Sequence, residues 1–305
     1  MKYYSTNGKA QMASLKSAVI KGLASDRGLY MPERIPSIPK AFFKNIGEMS
    51  LQEISYAVAN TLFGEDIESE VLKEIVDETL NFDIPLKHVS ENRYSLELYH
   101  GPTLAFKDVG ARFMARLLGY FNSRSSDTRP VNVLVATSGD TGSAVANGFL
   151  GVEGVRVFVL YPKGKVSEIQ ESQFTTLGQN ITAIEVEGTF DDCQALVKNA
   201  FMDAELNHHL KLTSANSINI ARFLPQMFYY FYAYAQLLRK GDIDMGNIVV
   251  AVPSGNFGNL TAGLFAKKMG LPIKRFIAAN NRNDVFYNYL QTGIYSPKPS
   301  VQTIA

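Results

Sequence analysis

A lysine at position 107 stands where polar residues are scarce. Leu104, Ala105 and Phe106 precede it, and Val109 and Phe113 follow. Lysines are seldom buried, so a solvated cation in a first helical turn is the ordinary alternative. Apolar neighbours and the positive end of a helix dipole both disfavour an ammonium group at such a place. A neutral amine is a nucleophile, and its characteristic chemistry is Schiff-base formation with a carbonyl compound. Asp108, next in the chain, suits the same turn as a favourable charge.

Two other stretches gather small polar residues. "ATSGDTGSAVANGF" spans 136–149 and "VPSGNFGNLTAG" spans 252–263. Each follows a β-branched run and opens a helical stretch, so its unspent N–H groups can attract phosphate or carboxylate. Glycine lets a ligand approach the backbone, and Ser, Thr or Asn add hydrogen bonds at the rim. Neither turn carries a nucleotide fingerprint. The second lacks the Lys-Ser/Thr of a P-loop, and the first is not G-x-G-x-x-G. On spacing alone, a capped strand-to-helix turn without ligand explains each equally well. His208 and His209 lack spaced carboxylate or thiol partners, so no metal site is expected. Cys193 is expected to be a small packing residue, and Lys163 and Lys165 loop charges. The stripe Phe228, Tyr229, Phe231, Tyr232 and Tyr234 reads as core or interface.

These groups need elements to position them. "KSAVIKGLA", "SLQEISYAVANTLFG" and "SEVLKEIVDETLNF" space apolar residues three and four apart, which predicts a mostly helical opening of some ninety residues. The proline-rich "DRGLYMPERIPSIPK" between them predicts an irregular connector. Alternation begins at "YSLELYH" (94–100). The runs "VNVLVAT", "VRVFVLY", "ITAIEVE", "NIVVAVP" and "RFIAAN" follow, separated by helical stretches. Such runs predict parallel strands covered on both faces, hence an α/β fold with doubly wound sheets.

At 305 residues the chain has room for two α/β domains. Thirty Lys and Arg against 29 Asp and Glu leave a net charge of +1, which gives no footprint for nucleic acid or an anionic membrane. One cysteine cannot form an internal disulfide, and the polar start "MKYYSTNGKA" has no apolar signal segment, so a reducing, cytoplasmic setting is expected. The stretch "FLPQMFYYFYAYAQLL" is interrupted by Pro225, Gln226 and Gln236, and it falls short of the roughly 20 residues that span a bilayer.

In this order, "HGPTLAFKD", "TSGDTGSA", "ANSINIARFLPQ" and "PSGNFGN" resemble the threonine synthases. These are pyridoxal 5'-phosphate (PLP) enzymes of fold type II, with the tryptophan-synthase-β-like architecture. "YYST" and "GLASDRGLYMP" resemble that family's opening, so the likeness runs from residue 3 to the chain end. The resemblance implies three parts: residues 1–92 as a mostly helical domain, 93–128 with 208–305 as a large PLP-binding α/β domain, and 129–207 as a smaller α/β domain.

By the same resemblance, Lys107 carries PLP and shuttles protons. Gly255, Asn256, Phe257, Gly258 and Asn259 hold the cofactor's phosphate. Thr137, Ser138, Gly139, Asp140 and Thr141 cradle the substrate's α-carboxylate, with Asp140 near the cofactor's O3′ oxygen, where much of the wider fold has Asn. Asn216, Ser217 and Arg222 clamp the substrate's phosphate, a task that suits the bidentate fork of arginine. The implied reaction takes O-phospho-L-homoserine and water to L-threonine and phosphate. Arg27 stands where a glycine is common in the family. Family members continue beyond Ala305, which implies a C-terminally incomplete large domain, weaker PLP binding and a missing partner for the pyridine nitrogen. Two alternatives stay open: another PLP lyase of the fold, such as a serine/threonine dehydratase or phospho-amino-acid lyase, and a non-catalytic PLP-binding fragment. The expected partner is a small molecule, with neither nucleic acid nor membrane, and the chain reads as a monomer or a homodimer.

Overall fold

The computed structural model describes residues 1–241, 246–253, 256–299, 301 and 303. It opens with β1 (Lys2–Ser5), β2 (Ala13–Ser14), α1 (Leu15–Lys21) and β3 (Tyr30–Pro32). The three strands form an antiparallel sheet in the order β2-β1-β3. The opening is therefore not only helical, and the proline-rich connector itself holds β3. Strands of two to four residues carry too little period to stand out, yet Tyr3 and Ser5 alternate into the core. The helices α2 (Lys40–Asn45), α3 (Leu51–Phe63) and α4 (Ser69–Thr79) follow. Ser50 and Glu53 start α3 with a reciprocal capping box, and its face of Ile54, Val58 and Leu62 is buried.

β4 (Leu86–Ser90) and β5 (Arg93–Leu96) form an antiparallel hairpin, so the alternating run from 94 to 100 is a strand only as far as Leu96. Leu96 pairs with Leu86; the residue before Leu86 is Pro85, which accepts from Glu97 but has no N–H to continue the ladder.

After α5 (Asp108–Ser123) come β6 (Val131–Ala136), α6 (Asp140–Phe149), β7 (Val155–Pro162), α7 (Glu168–Thr175) and β8 (Ile181–Val186). They are followed by α8 (Phe190–Met202), α9 (Ala204–His209) and β9 (Lys211–Ser214). All four strands are parallel, in the order β8-β7-β6-β9. Val133, Val135, Val157 and Val159 share the main core with Val145 and Phe149 of α6. On the opposite face, Ala136 and Leu160 meet Cys193 and Val197 of α8. Both faces are covered, which makes this sheet doubly wound and gives Cys193 its packing role. β9 lies past residue 207, the expected end of the smaller domain, and pairs with β6.

The remainder comprises α10 (Ile220–Phe223), a 3-10 turn (Leu224–Gln226), α11 (Met227–Arg239), β10 (Val249–Pro253), α12 (Gly258–Lys268), β11 (Arg275–Ala279) and α13 (Val285–Thr292). The aromatic stripe of α11 is core: Phe228 meets Phe113 of α5, and Phe231 stacks on Phe43. β10 and β11 pair in parallel, Val249 with Arg275 through Pro253 with Ala279. Val252 is buried, and Phe276 packs on Tyr230. Val249 and Ile277, on the other side of the same strands, are 39% and 49% exposed. Unlike the first sheet, this one has a bare face. Among the described residues, no helix is long and apolar enough to cross a membrane.

Candidate active site

Lys107 caps the N-terminus of α5, where the sequence places it. Its Nζ donates to Asp140 Oδ1 at 2.8 Å and to Thr141 Oγ1 at 2.9 Å, both in the first turn of α6. The Lys107 side chain is 17% exposed and that of Asp140 40%, so the pair opens to solvent on the α6 side. Phe106 offers its ring 5.6 Å from the amine. The neighbourhood is thus not wholly apolar: a carboxylate on the adjoining helix, which packs directly on α5, balances the amine.

The turn that delivers Asp140 is shaped from within. Thr137 is buried, and its hydroxyl accepts from the Gly139 and Gly142 N–H groups at 3.0 and 2.8 Å while donating to the Gly139 carbonyl. Thr137, expected in the cradle of the substrate's α-carboxylate, spends its hydroxyl holding the turn. Gly139 has φ 147°, a backbone that side chains rarely adopt, and a Cβ there would sit 2.1 Å from Gln170 Oε1. The N-cap residue Gly139 has no side chain to offer α6, and Thr137 takes the Gly142 N–H, which leaves the Asp140 and Thr141 N–H groups of the first turn beside the exposed Ser138.

Past β9 the chain turns towards α10. Asn216 donates to the Ala136 carbonyl at 3.1 Å, tying this turn to the end of β6. Arg222 has no exposed surface. Its Nη1 donates to the Ala215 carbonyl at 2.8 Å, whereas Nε and Nη2 are buried without a partner among the described residues. Burial draws the guanidinium down to about 10, against the opposing pull of Asp140 and Asp108. The free Nε–Nη2 edge is the side of an arginine that takes an oxyanion in two parallel bonds.

The second glycine-rich turn leads from β10 into α12. Gly255 lies outside the described residues. Asn256 is exposed, and Phe257, in left-handed conformation with φ 55°, caps α12 without a side-chain hydrogen bond while packing on Phe286 at 4.4 Å. Asn259 is buried and anchored: Tyr230 donates to its carbonyl at 2.8 Å, and its Oδ1 accepts from Leu260 N–H. At Gly258 an added Cβ would lie 3.4 Å from the Cβ of Ser217, so the second turn touches the segment that leads to Arg222. α10 packs against both α5 and α12 and thereby joins the parts.

Spacing gave no hint of three other residues. Gln170 of α7 covers Gly139, and the buried Ser143 hydroxyl stitches the Gly139 and Gln170 carbonyls together at 3.2 and 3.1 Å. Asp108 is the third: it stands in the first turn of α5 as expected, but it is buried.

Residues 2–80 match the family described as threonine synthase N terminus, and residues 87–305 match the pyridoxal-phosphate dependent enzymes. Threonine synthase of Haemophilus influenzae is 47% identical over 305 residues, an alignment covering all of this chain and 70% of that protein. The crystal structure of threonine synthase from Escherichia coli matches with a TM-score of 0.91 at 44% identity, over 100% of this chain and 70% of that one. The PLP-bound threonine synthase from Brucella melitensis matches with a TM-score of 0.90 at 38% identity, over 99% and 65%. With both family matches in sequence and this agreement in fold, the chain belongs to the threonine synthase family of pyridoxal-phosphate-dependent enzymes.

Proposed function

We propose that this chain converts O-phospho-L-homoserine and water into L-threonine and phosphate with PLP as cofactor, working in the cytoplasm. One observation carries the reading: a half-buried amine, Lys107 Nζ, is held between Asp140 and Thr141. The donor set fits the cofactor. A primary amine suits its aldehyde, and the N-terminus of α12, with the Gly258 and Asn259 N–H groups in its first turn, suits its phosphate. The domain division that goes with this reading keeps 129–207 as the smaller unit and adds β9, which pairs with β6.

When bound, PLP supplies an electron sink for the substrate's α-carbon. The chain's own groups do the rest. Lys107 Nζ moves protons one at a time. It takes the α-proton and passes it on, then takes a β-proton that goes to the γ-carbon once the phosphate has left. It returns one to the α-carbon after water adds at the β-carbon, with Asp140 Oδ1 at 2.8 Å steadying the charge it gains each time. The N-terminus of α6, with Ser138, Gly139 and Thr141, holds the α-carboxylate, while Thr137 keeps that turn in shape. The Nε–Nη2 edge of Arg222, flanked by Asn216 and Ser217, receives the phosphate and stabilises its charge as it leaves. Because Arg222 has no exposed surface, the elements around it must part to admit a ligand and close to keep water out.

Incubation with phosphohomoserine and PLP, assaying phosphate and threonine together, tests the proposal. Equal yields are expected, and Lys107→Ala lowers turnover by at least roughly 10²-fold, the low end for losing a proton-transfer group. Phosphate with 2-oxobutanoate in place of threonine makes the chain a lyase of another kind; PLP binding without phosphate release makes it a binding fragment.

A further inference from the structure

We infer that Asp108 is a positioning residue for Lys107: its buried carboxylate closes the loop 101–107 and so fixes where the amine points. The inference rests on the PLP reading of Lys107. The two side chains, adjacent in sequence, leave the chain in opposite directions. Lys107 Nζ goes forward to Asp140 and Thr141. Asp108 turns back, accepting the Thr103 N–H at 3.0 Å on Oδ2 and the Thr103 hydroxyl at 2.5 Å on Oδ1.

The loop is built around that carboxylate. Gly101 lies so close that a Cβ there would sit 2.5 Å from Asp108 Oδ2. Leu104 N–H donates to the Gly101 carbonyl at 3.1 Å, and Asp108 N–H to the Ala105 carbonyl at 3.0 Å. Leu104 is left in the left-handed region with φ 59° and its side chain 67% exposed. A leucine holds such a conformation only where its surroundings over-determine it, and an exposed side chain contributes nothing to that. The constraint comes from the bonds to Asp108 at the far end of the loop.

A first-turn carboxylate facing solvent would favour the helix equally well and escape the cost of burial. Asp108 is 1% exposed instead, and loss of water holds its carboxyl above the usual range. The burial is explained if the loop, and through it the amine, requires it.

Asp108→Ala and Asp108→Asn, compared with the wild-type chain, test this with two probes. PLP forms a C=N bond to Lys107 with loss of water, read by absorbance and by borohydride trapping. Pyridoxamine 5'-phosphate has the same ring and phosphate but no aldehyde, so it reports binding alone. Asp108→Ala is expected to slow bond formation by roughly 10²-fold, the scale of a misplacement of about 1 Å, with pyridoxamine phosphate affinity little changed. Asp108→Asn, which can donate to the Thr103 hydroxyl and still accept its N–H, restores the rate. Unchanged bond formation in Asp108→Ala, equal loss of both probes, or an Asn variant as slow as the Ala variant each overturns the inference alone. A wild-type chain that forms no bond with PLP sinks the PLP reading, and the inference with it.

Discussion

Arg222 uses one nitrogen on the Ala215 carbonyl and keeps the Nε–Nη2 edge free in a place without solvent. A buried guanidinium with two of its three nitrogens idle is costly, and removing its charge would be easier than retaining it unless an anion arrives. Lysine keeps the charge but not the fork. Arg222→Lys is therefore expected to lower kcat/KM for the phosphorylated substrate by about 10²–10³-fold, the loss seen when one donor of a developing anion goes. Steady-state kinetics on a variant with unchanged circular dichroism checks it, and an unaffected kcat/KM would remove Arg222 from the site. Position 107 was legible because an amine among Leu104, Ala105 and Phe106 is chemically odd in any sequence. The inward roles of Thr137 and Asp108 were illegible for the converse reason. A threonine or aspartate near a helix start is common, and only coordinates reveal that the hydroxyl of one and the carboxylate of the other turn inward.

Among the elements, the corner joining β1 to β3 depends on one carboxylate. Asp26 accepts from the Ser5 hydroxyl at 2.6 Å and from the N–H groups of Lys9, Ala10 and Gly28 at 2.9, 2.8 and 3.0 Å. These bonds, that of Ser5 foremost, hold its carboxyl down to about 2. The folded value lies below the unfolded one of about 3.9, so the carboxylate's contribution is present above that pH and is lost as pH falls through the folded value. Between roughly pH 4 and 2, then, the wild-type melting temperature is expected to fall more steeply than that of Asp26→Asn; parallel slopes in thermal melts would retire the claim. This corner was invisible to periodicity because strands as short as Ala13–Ser14 have none. β6 and β7 were legible almost to the residue, since both strands are mostly buried on both faces and apolar positions run together, and β8 was legible from its β-branched composition although only Ile181 in it is buried. Legibility failed again at β9, whose four residues "KLTS" look like loop until β6 is there to pair with them.

Across the whole molecule, the two parallel sheets are unequal. The first lies between α6 and α8. The second has Val252 and Phe276 against the helices but leaves Val249 and Ile277 open on its other side, and it ends at the turn assigned to the cofactor's phosphate. Backbone N–H groups in strands covered on one side open to water more readily than those sealed on both. Deuterium should therefore enter residues 249–253 well before residues 131–136. A ligand that binds only the closed arrangement slows such opening. Adding PLP should delay uptake in 249–253 and leave 131–136 as they were, so mass spectrometry of the two peptides would report cofactor binding without any turnover.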